Sequence, residues 1–231
     1  MSPSAPTGTM QHPSLGWVLY NVRELSDDPD TQVAQTIDLM RQYATEDSQN
    51  PILTNDVYQA WQSGDPIADT WAYLARYGGQ RGMQFVRDEQ TGIPFEDAPS
   101  RPGGWRPLVE ALIRPVDQCS LAQTQGDCDD FAMYAAAHLM ARGVPCSFAT
   151  LAAEDPYLYS HVYLVAYPTS GLWAGQRVAM DLSHGQYPGW EAPNRFGKFR
   201  EWPLRSGIGL LGWAAIAAGG YLLYRVCGGV N

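Results

Sequence analysis

The sequence predicts an α+β fold, on three observations. Apolar residues recur at helical spacing through the first half of the chain, in SDDPDTQVAQTIDLMRQYATED and DPIADTWAYLARY. A further helical stretch, within GDCDDFAMYAAAHLMARG, stands near the middle, opened by Asp127 and closed by Gly143. Beyond Gly143 the period changes, and VPCSFATLA, HVYLVAY and RVAMDLS read as strands separated by turn residues. A helix followed by antiparallel strands is the α+β arrangement, with the helix packed on the sheet.

A chain of 231 residues, 45% hydrophobic and with eight Trp, buries a substantial core, and its length suits one domain with appendages. Acids outnumber bases by 24 to 15 and Lys198 is the only lysine. No basic stripe is available to hold phosphates, so nucleic acid is excluded as a partner. Cys119, Cys128, Cys146 and Cys227 are too few and too scattered for a disulfide framework, and none has zinc-finger spacing. A reducing compartment is expected, with no cofactor and no metal.

Residues 1–15 have neither a basic start nor an apolar run, so they are expected to be a flexible arm rather than a signal peptide. The folded domain is expected over 16–193. Its first helix has Asp28 as N-cap, Pro29 at the first helical position, and Val33, Ile37, Met40 and Ala44 on one stripe. A second helix opens at Asp65-Pro66, buries Ile67, Trp71 and Leu74, and stops at Gly78-Gly79. Residues 88–107 carry Pro94, Pro99, Pro102 and Pro107 and read as a loop. The segment PLVEALIRP then leads to the central helix.

Residues 194–205, with Arg195, Lys198, Arg200 and Arg205, read as a basic linker. The span 206–225 follows, and from Ser206 to Tyr224 no residue is charged. As a helix that run is about 28 Å long, close to a bilayer's hydrocarbon core. A C-terminal transmembrane helix is therefore expected, against the alternative of a buried helix packed on the domain. The basic approach puts the domain in the cytoplasm. Gly212, Ala215 and Gly219 form a small-residue face that suits helix association, and hence oligomers.

The chemistry centres on GDCDD. Asp127 caps the helix, Asp129 and Asp130 suit its dipole, and Cys128 lies at its N-terminus, where a thiolate and an oxyanion are both favoured. Neighbouring acids oppose the thiolate, so a cationic partner is needed. His138 is about 15 Å of rise along the same helix and out of reach. His161 opens the strand HVYLVAY, and Asp181 lies in the returning strand. With Val165 paired to Arg177, His161 and Asp181 fall opposite each other on one face. Cys128, His161 and Asp181 thus read as nucleophile, base and orienting carboxylate. His184 is the rival base, on the opposite face from Asp181 if the strand continues. A metal site from Cys128, Asp129, Asp130 and His161 is disfavoured, because consecutive helix residues point apart.

GDCDD opening a helix, then SHVYLVAY, then VAMDLS, in that order and at this spacing, resemble the Cys-His-Asp core of the transglutaminase-like superfamily, which includes papain-like cysteine peptidases. The chain is particularly similar to bacteriophage and prophage transglutaminase-like proteins, over residues 30 to 184 and including FVRDEQTG. The resemblance implies a papain-like core and amide chemistry on a protein or peptide through a thioester, by hydrolysis or acyl transfer. It also implies that Cys128 attacks, His161 moves the proton and Asp181 orients His161. One departure stands out: related sequences carry glutamine before the proline upstream of the cysteine, and here that place reads Ile113-Arg114-Pro115. Gln118, Gln123, Gln125 and Trp105 remain alternatives for an oxyanion-hole side chain. The competing class is a non-catalytic membrane-associated or virion structural protein that keeps the fold.

Overall fold

The computed structural model describes residues 7–12, 16–24, 26, 28–87, 109–121, 124–154 and 156–204. The chain is α+β. Two strands come first, β1 (Thr7–His12) and β2 (Gly16–Glu24), followed by helices α1 (Pro29–Asp47), α2 (Pro51–Ala60) and α3 (Pro66–Leu74). A short β3 (Gln84–Phe85), then β4 (Val109–Leu112), α4 (Pro115–Ser120) and β5 (Gln125–Gly126) lead to α5 (Cys128–Ala141). The strands β6 (Cys146–Leu151), β7 (His161–Ala166), β8 (Val178–Met180) and β9 (Phe199–Pro203) complete it.

Helices α1, α2 and α3 begin alike, with an Asp or Asn cap followed by proline. Asp28 accepts Thr31 N–H, Asn50 accepts Ile52 N–H, and Asp65 accepts Ile67 and Ala68 N–H. Each cap satisfies donors that the first turn leaves open, and each proline sits where its missing N–H costs nothing. The expected stripes face the core: Ile37, Met40 and Ala44 on α1 and Ile67 and Leu74 on α3 are buried, while Val33 and Trp71 are partly buried against them. Helix α3 ends at Leu74, before the Gly78-Gly79 stop that the sequence suggests, and Gly78 supplies a φ of 81° in the turn beyond.

Helix α5 is the centre of the molecule, buried at every position from Asp129 to Leu139. Such a helix is covered on all sides. Helices α1 and α3 pack against it, and so does the antiparallel sheet β8-β7-β6-β9. The face of that sheet carrying Phe148, Val162, Leu164, Ala166, Met180 and Trp202 joins the α5 core. Ala149, Leu151, Tyr163, Val165 and Ala179 pack on the other face, as the period of two requires.

Two boundaries differ from expectation. Residues 7–12, expected within a flexible arm, form β1 and pair along β2, which in turn pairs with β4. Composition misled here, because the Pro/Ser content of the segment masked a run that can satisfy its backbone on a neighbouring strand. The basic linker is likewise a strand in part: Phe199–Pro203 adds to β6 as the sheet's edge. Trp202 points inward, 6% exposed, while the charged Arg200 and Glu201 lie on an edge strand, where charges discourage further pairing. Among the described residues no helix is long and apolar enough to cross a membrane. The expected span 206–225 and the expected loop 88–107 lie outside the described residues.

Candidate active site

The motif GDCDD folds as its residues dictate. Asp127 is extended and its side chain accepts Asp129 N–H at 3.3 Å, capping α5. Gly126 has φ 153°, and a Cβ there would lie 2.2 Å from Asp130 Oδ2, so the position has no room for a side chain. Asp130 Oδ1 accepts Ile113 N–H at 2.8 Å, tying the end of β4 to the first turn of α5. Two of the three aspartates thus have structural tasks. Cys128 is the first residue of α5, half-buried against the main core. In that turn the helix's partial positive charge favours a thiolate.

His161 and Asp181 meet. His161 Nε2 lies 2.8 Å from Asp181 Oδ2, with both side chains buried. The observed register is Leu164↔Met180 and Val165↔Ala179, two residues away from the expected Val165–Arg177 pairing. A shift by two preserves which face each side chain occupies, so the pair survives as diagonal rather than direct neighbours. Burial pushes the Asp181 carboxyl upward, but the hydrogen bond and charge of His161 and the His184 N–H outweigh it and hold the pKa below its ordinary value. With Nε2 turned to the carboxylate, Nδ1 is the nitrogen that can serve a thiol.

His184 was expected on the far face. Strand β8 instead stops at Met180, and a turn follows in which Asp181 Oδ1 accepts His184 N–H at 3.0 Å and Ser183 Oγ–H at 3.1 Å. That turn carries the His184 ring to 4.7 Å from His161, edge to face. Burial, then the neighbouring His161, lowers the His184 pKa. Only the hydrogen-bonding habit of an Asp with Ser two and His three residues on signalled this in the sequence.

By strand alternation His161 shares the face of Tyr163, with which its ring stacks at 5.9 Å, rather than the face on α5. Its link to α5 runs round the end of the sheet. His184 stands 5.1 Å from Phe85, and Phe85 stands 6.4 Å from Phe131. Phe131 is one turn after Cys128, and Phe85 is paired with Gly126. One aromatic cluster therefore borders both the His161–Asp181 pair and the first turn of α5. His138, as expected, takes no part: its Nε2 lies 2.9 Å from Asp56 Oδ2 in a separate buried network.

Arg114, at the place where related sequences carry glutamine, is committed to α1 through Asp47 at 2.5 Å and Glu46 at 2.9 Å. Gln118 is buried and spent on the backbone of Gln125, donating to its carbonyl and accepting its N–H. Gln125 is 1% exposed, and among the described residues neither polar atom of its side-chain amide has a hydrogen-bond partner. Such a group is unusual and points to a use. Gln123 and Trp105 lie outside the described residues.

No family model matches the chain, and no curated protein matches it. Among solved structures, a candidate cysteine protease from Cytophaga hutchinsonii is similar at 14% identity and a TM-score of 0.36, over 87% of this chain and 73% of that one. A likeness of that size assigns neither a family nor a reaction, and it gives no link to bacteriophage.

Proposed function

We propose that the chain is a cysteine-dependent amide hydrolase or acyl transferase acting on protein or peptide substrates. The buried His161–Asp181 hydrogen bond is the observation that carries this reading. In the reaction the Cys128 thiolate attacks the amide carbonyl carbon. The carbonyl oxygen takes up the electron pair and is received by N–H groups of the first turn of α5, with the buried Gln125 amide the candidate side chain to add a donor. His161 carries the thiol proton on Nδ1 and returns it to the departing amine as the C–N bond breaks, leaving a thioester on Cys128. Asp181 fixes the His161 tautomer and offsets the imidazolium charge. Water or an amine then resolves the thioester, which separates hydrolysis from transfer.

The catalytic unit in this reading runs to Leu204 rather than ending at residue 193, and residues 206–225 anchor it to a membrane with the domain on the cytoplasmic side. The deciding experiment is alkylation of Cys128 by iodoacetamide near neutral pH, followed by peptide mapping. A rate well above that of the other cysteines, lost in His161→Ala, supports the proposal. Equal rates in the two folded proteins would leave the non-catalytic reading of the fold.

A further inference from the structure

His161, Asp181 and His184 offer donor atoms that all lie within 4.8 Å of one another. Tetrahedral zinc with bonds of about 2.0–2.2 Å needs donors separated by roughly 3.3–3.5 Å, so a closing of about 1.5 Å at most would form a site. His184 can supply that movement because it stands exposed in a turn, whereas the other two are buried in the sheet end. The groups behind the cluster orient it. Ser183 Oγ lies 2.9 Å from His184 Nδ1 and 3.1 Å from Asp181 Oδ1, so one hydroxyl fixes both side chains and leaves His184 Nε2 as the outward donor. His161 Nε2 and Asp181 Oδ2 face each other at 2.8 Å, so a cation would take the place of the hydrogen they share and draw on both atoms.

We infer that His161, Asp181 and His184 form a binding site for a single divalent cation of the Zn2+ class. Two imidazoles and one carboxylate select borderline metals over Ca2+ or Mg2+, which favour oxygen-rich shells. The second carboxylate group near α5, Asp127, Asp129 and Asp130, is of the other kind: all oxygen, with Asp127 spent on the helix cap and Asp130 on Ile113. Resting on the reading of His161 as the base for Cys128, a cation on this cluster would also take that base away, so that metal occupancy silences the thiol.

The test uses the full chain in detergent, stripped with a chelator and titrated with Co2+ and Zn2+, following Co2+ absorption and competition with a chromophoric zinc chelator. One equivalent is expected to bind in the wild type, to resist millimolar Ca2+, and to bind roughly ten- to a hundredfold more weakly in His184→Asn and in His161→Asn. His184→Asn alters an exposed turn residue, so it serves even if His161→Asn fails to fold. Absence of binding, or undiminished binding in folded His184→Asn, overturns the site. Alkylation of Cys128 in chelator is read separately: its indifference to His161→Asn would remove the enzyme reading while leaving the metal result to stand or fall by the titration.

Discussion

His161 Nε2 and Asp181 Oδ2 lie 2.8 Å apart although their strands pair two residues out of the register in which the two side chains would stand opposite each other. The contact is diagonal, and it closes because Asp181 lies just past the last residue of β8, where the turn to His184 holds its other oxygen. A carboxylate so held, 0% exposed and hydrogen-bonded on both oxygens, is suited to orienting an imidazole.

Reactivity of the thiols should separate sharply. Burial, then the charge of Asp56, pushes the Cys119 thiol up to about 12, and burial raises Cys146 as well. Neither is a thiolate near neutral pH. Cys128, half-buried at a helix N-terminus, should be alkylated at least tenfold faster than either, and on the proposed role of His161 the substitution His161→Ala should slow it by a similar factor. Mass mapping of labelled peptides over time reads both rates.

Asp181→Asn keeps the shape and removes the charge. The variant should slow Cys128 alkylation roughly tenfold near neutral pH and shift its pH profile upward, because the amide no longer stabilises the imidazolium form. The sign for stability follows from the lowered carboxyl pKa: the contribution is present above the ordinary value of 3.8 and is lost as pH falls below it. Unfolding measured from pH 7 down to pH 3 should thus show a shallower acid loss in Asp181→Asn than in the wild type. An identical alkylation profile in the two proteins would exclude Asp181 as the orienting group.

The helices and the identity of the buried pair were legible because each rests on local chemistry. Asp28, Asp65 and Asp127 announce helix starts through their capping oxygens, and a period of two places His161 and Asp181 on one face in any register shifted by an even number. Helix α2 went unread despite its Asn50-Pro51 opening, since Ile52, Leu53, Val57 and Tyr58 straddle two faces and Ile52 and Tyr58 remain exposed. The strands β1 and β9 were missed for other reasons. Strand β1 pairs with the adjacent β2, but its run TGTMQH shows no clear apolar alternation, whereas β9 gains its stability from long-range pairing with β6, a partner that no local pattern encodes. His184 reaches His161 through a turn whose hydrogen bonds depend on where β8 ends.

The buried network around Asp56 predicts a stability optimum in mid-range pH. Burial raises the Asp56 carboxyl, but hydrogen bonds from His138, Tyr134 and Tyr73 prevail and bring it to about 2. Its contribution of about 2 kcal/mol is present above 3.8 and lost as pH falls toward 2. Burial lowers His138 against the pull of Asp56, so its contribution is present above 6.5 and lost below. Tyr73 and Tyr134 are raised by burial and by Asp56, so theirs is present below 10.0 and lost as pH rises beyond. Thermal melting should therefore peak between about pH 6.5 and 10. Tyr73→Phe should lower stability by about 1 kcal/mol on the plateau and flatten the alkaline limb. A wild-type melting temperature that is flat from pH 4 to pH 11 would contradict the network's charge states.

The C-terminal limit of the domain can be set from its last contacts. Residues 206–225 carry no charge before Arg225 and were expected to span a membrane, whereas 194–205 were expected to be a basic linker. That second expectation fails on β9, whose Trp202 Nε1–H donates to Thr150 Oγ1 at 2.9 Å and whose Pro203 carbonyl accepts from Arg41 at 2.8 Å. Leu204, 7% exposed, donates its N–H to the Cys146 carbonyl at 2.9 Å. A chain ending at Arg205 should therefore fold, stay in solution without detergent, and keep its Cys128 alkylation rate. A chain ending at Asn194 loses the edge strand and the buried Trp202, a side chain whose removal alone costs about 3–5 kcal/mol, and should unfold or aggregate along the bared edge of β6. The full chain should float with lipid vesicles and need detergent for extraction. If the full chain stays in solution without detergent while the chain ending at Arg205 misfolds, residues 206–225 are a packed part of the domain, and the small residues Gly212, Ala215 and Gly219 are contacts with the protein and not with a second helix in a bilayer.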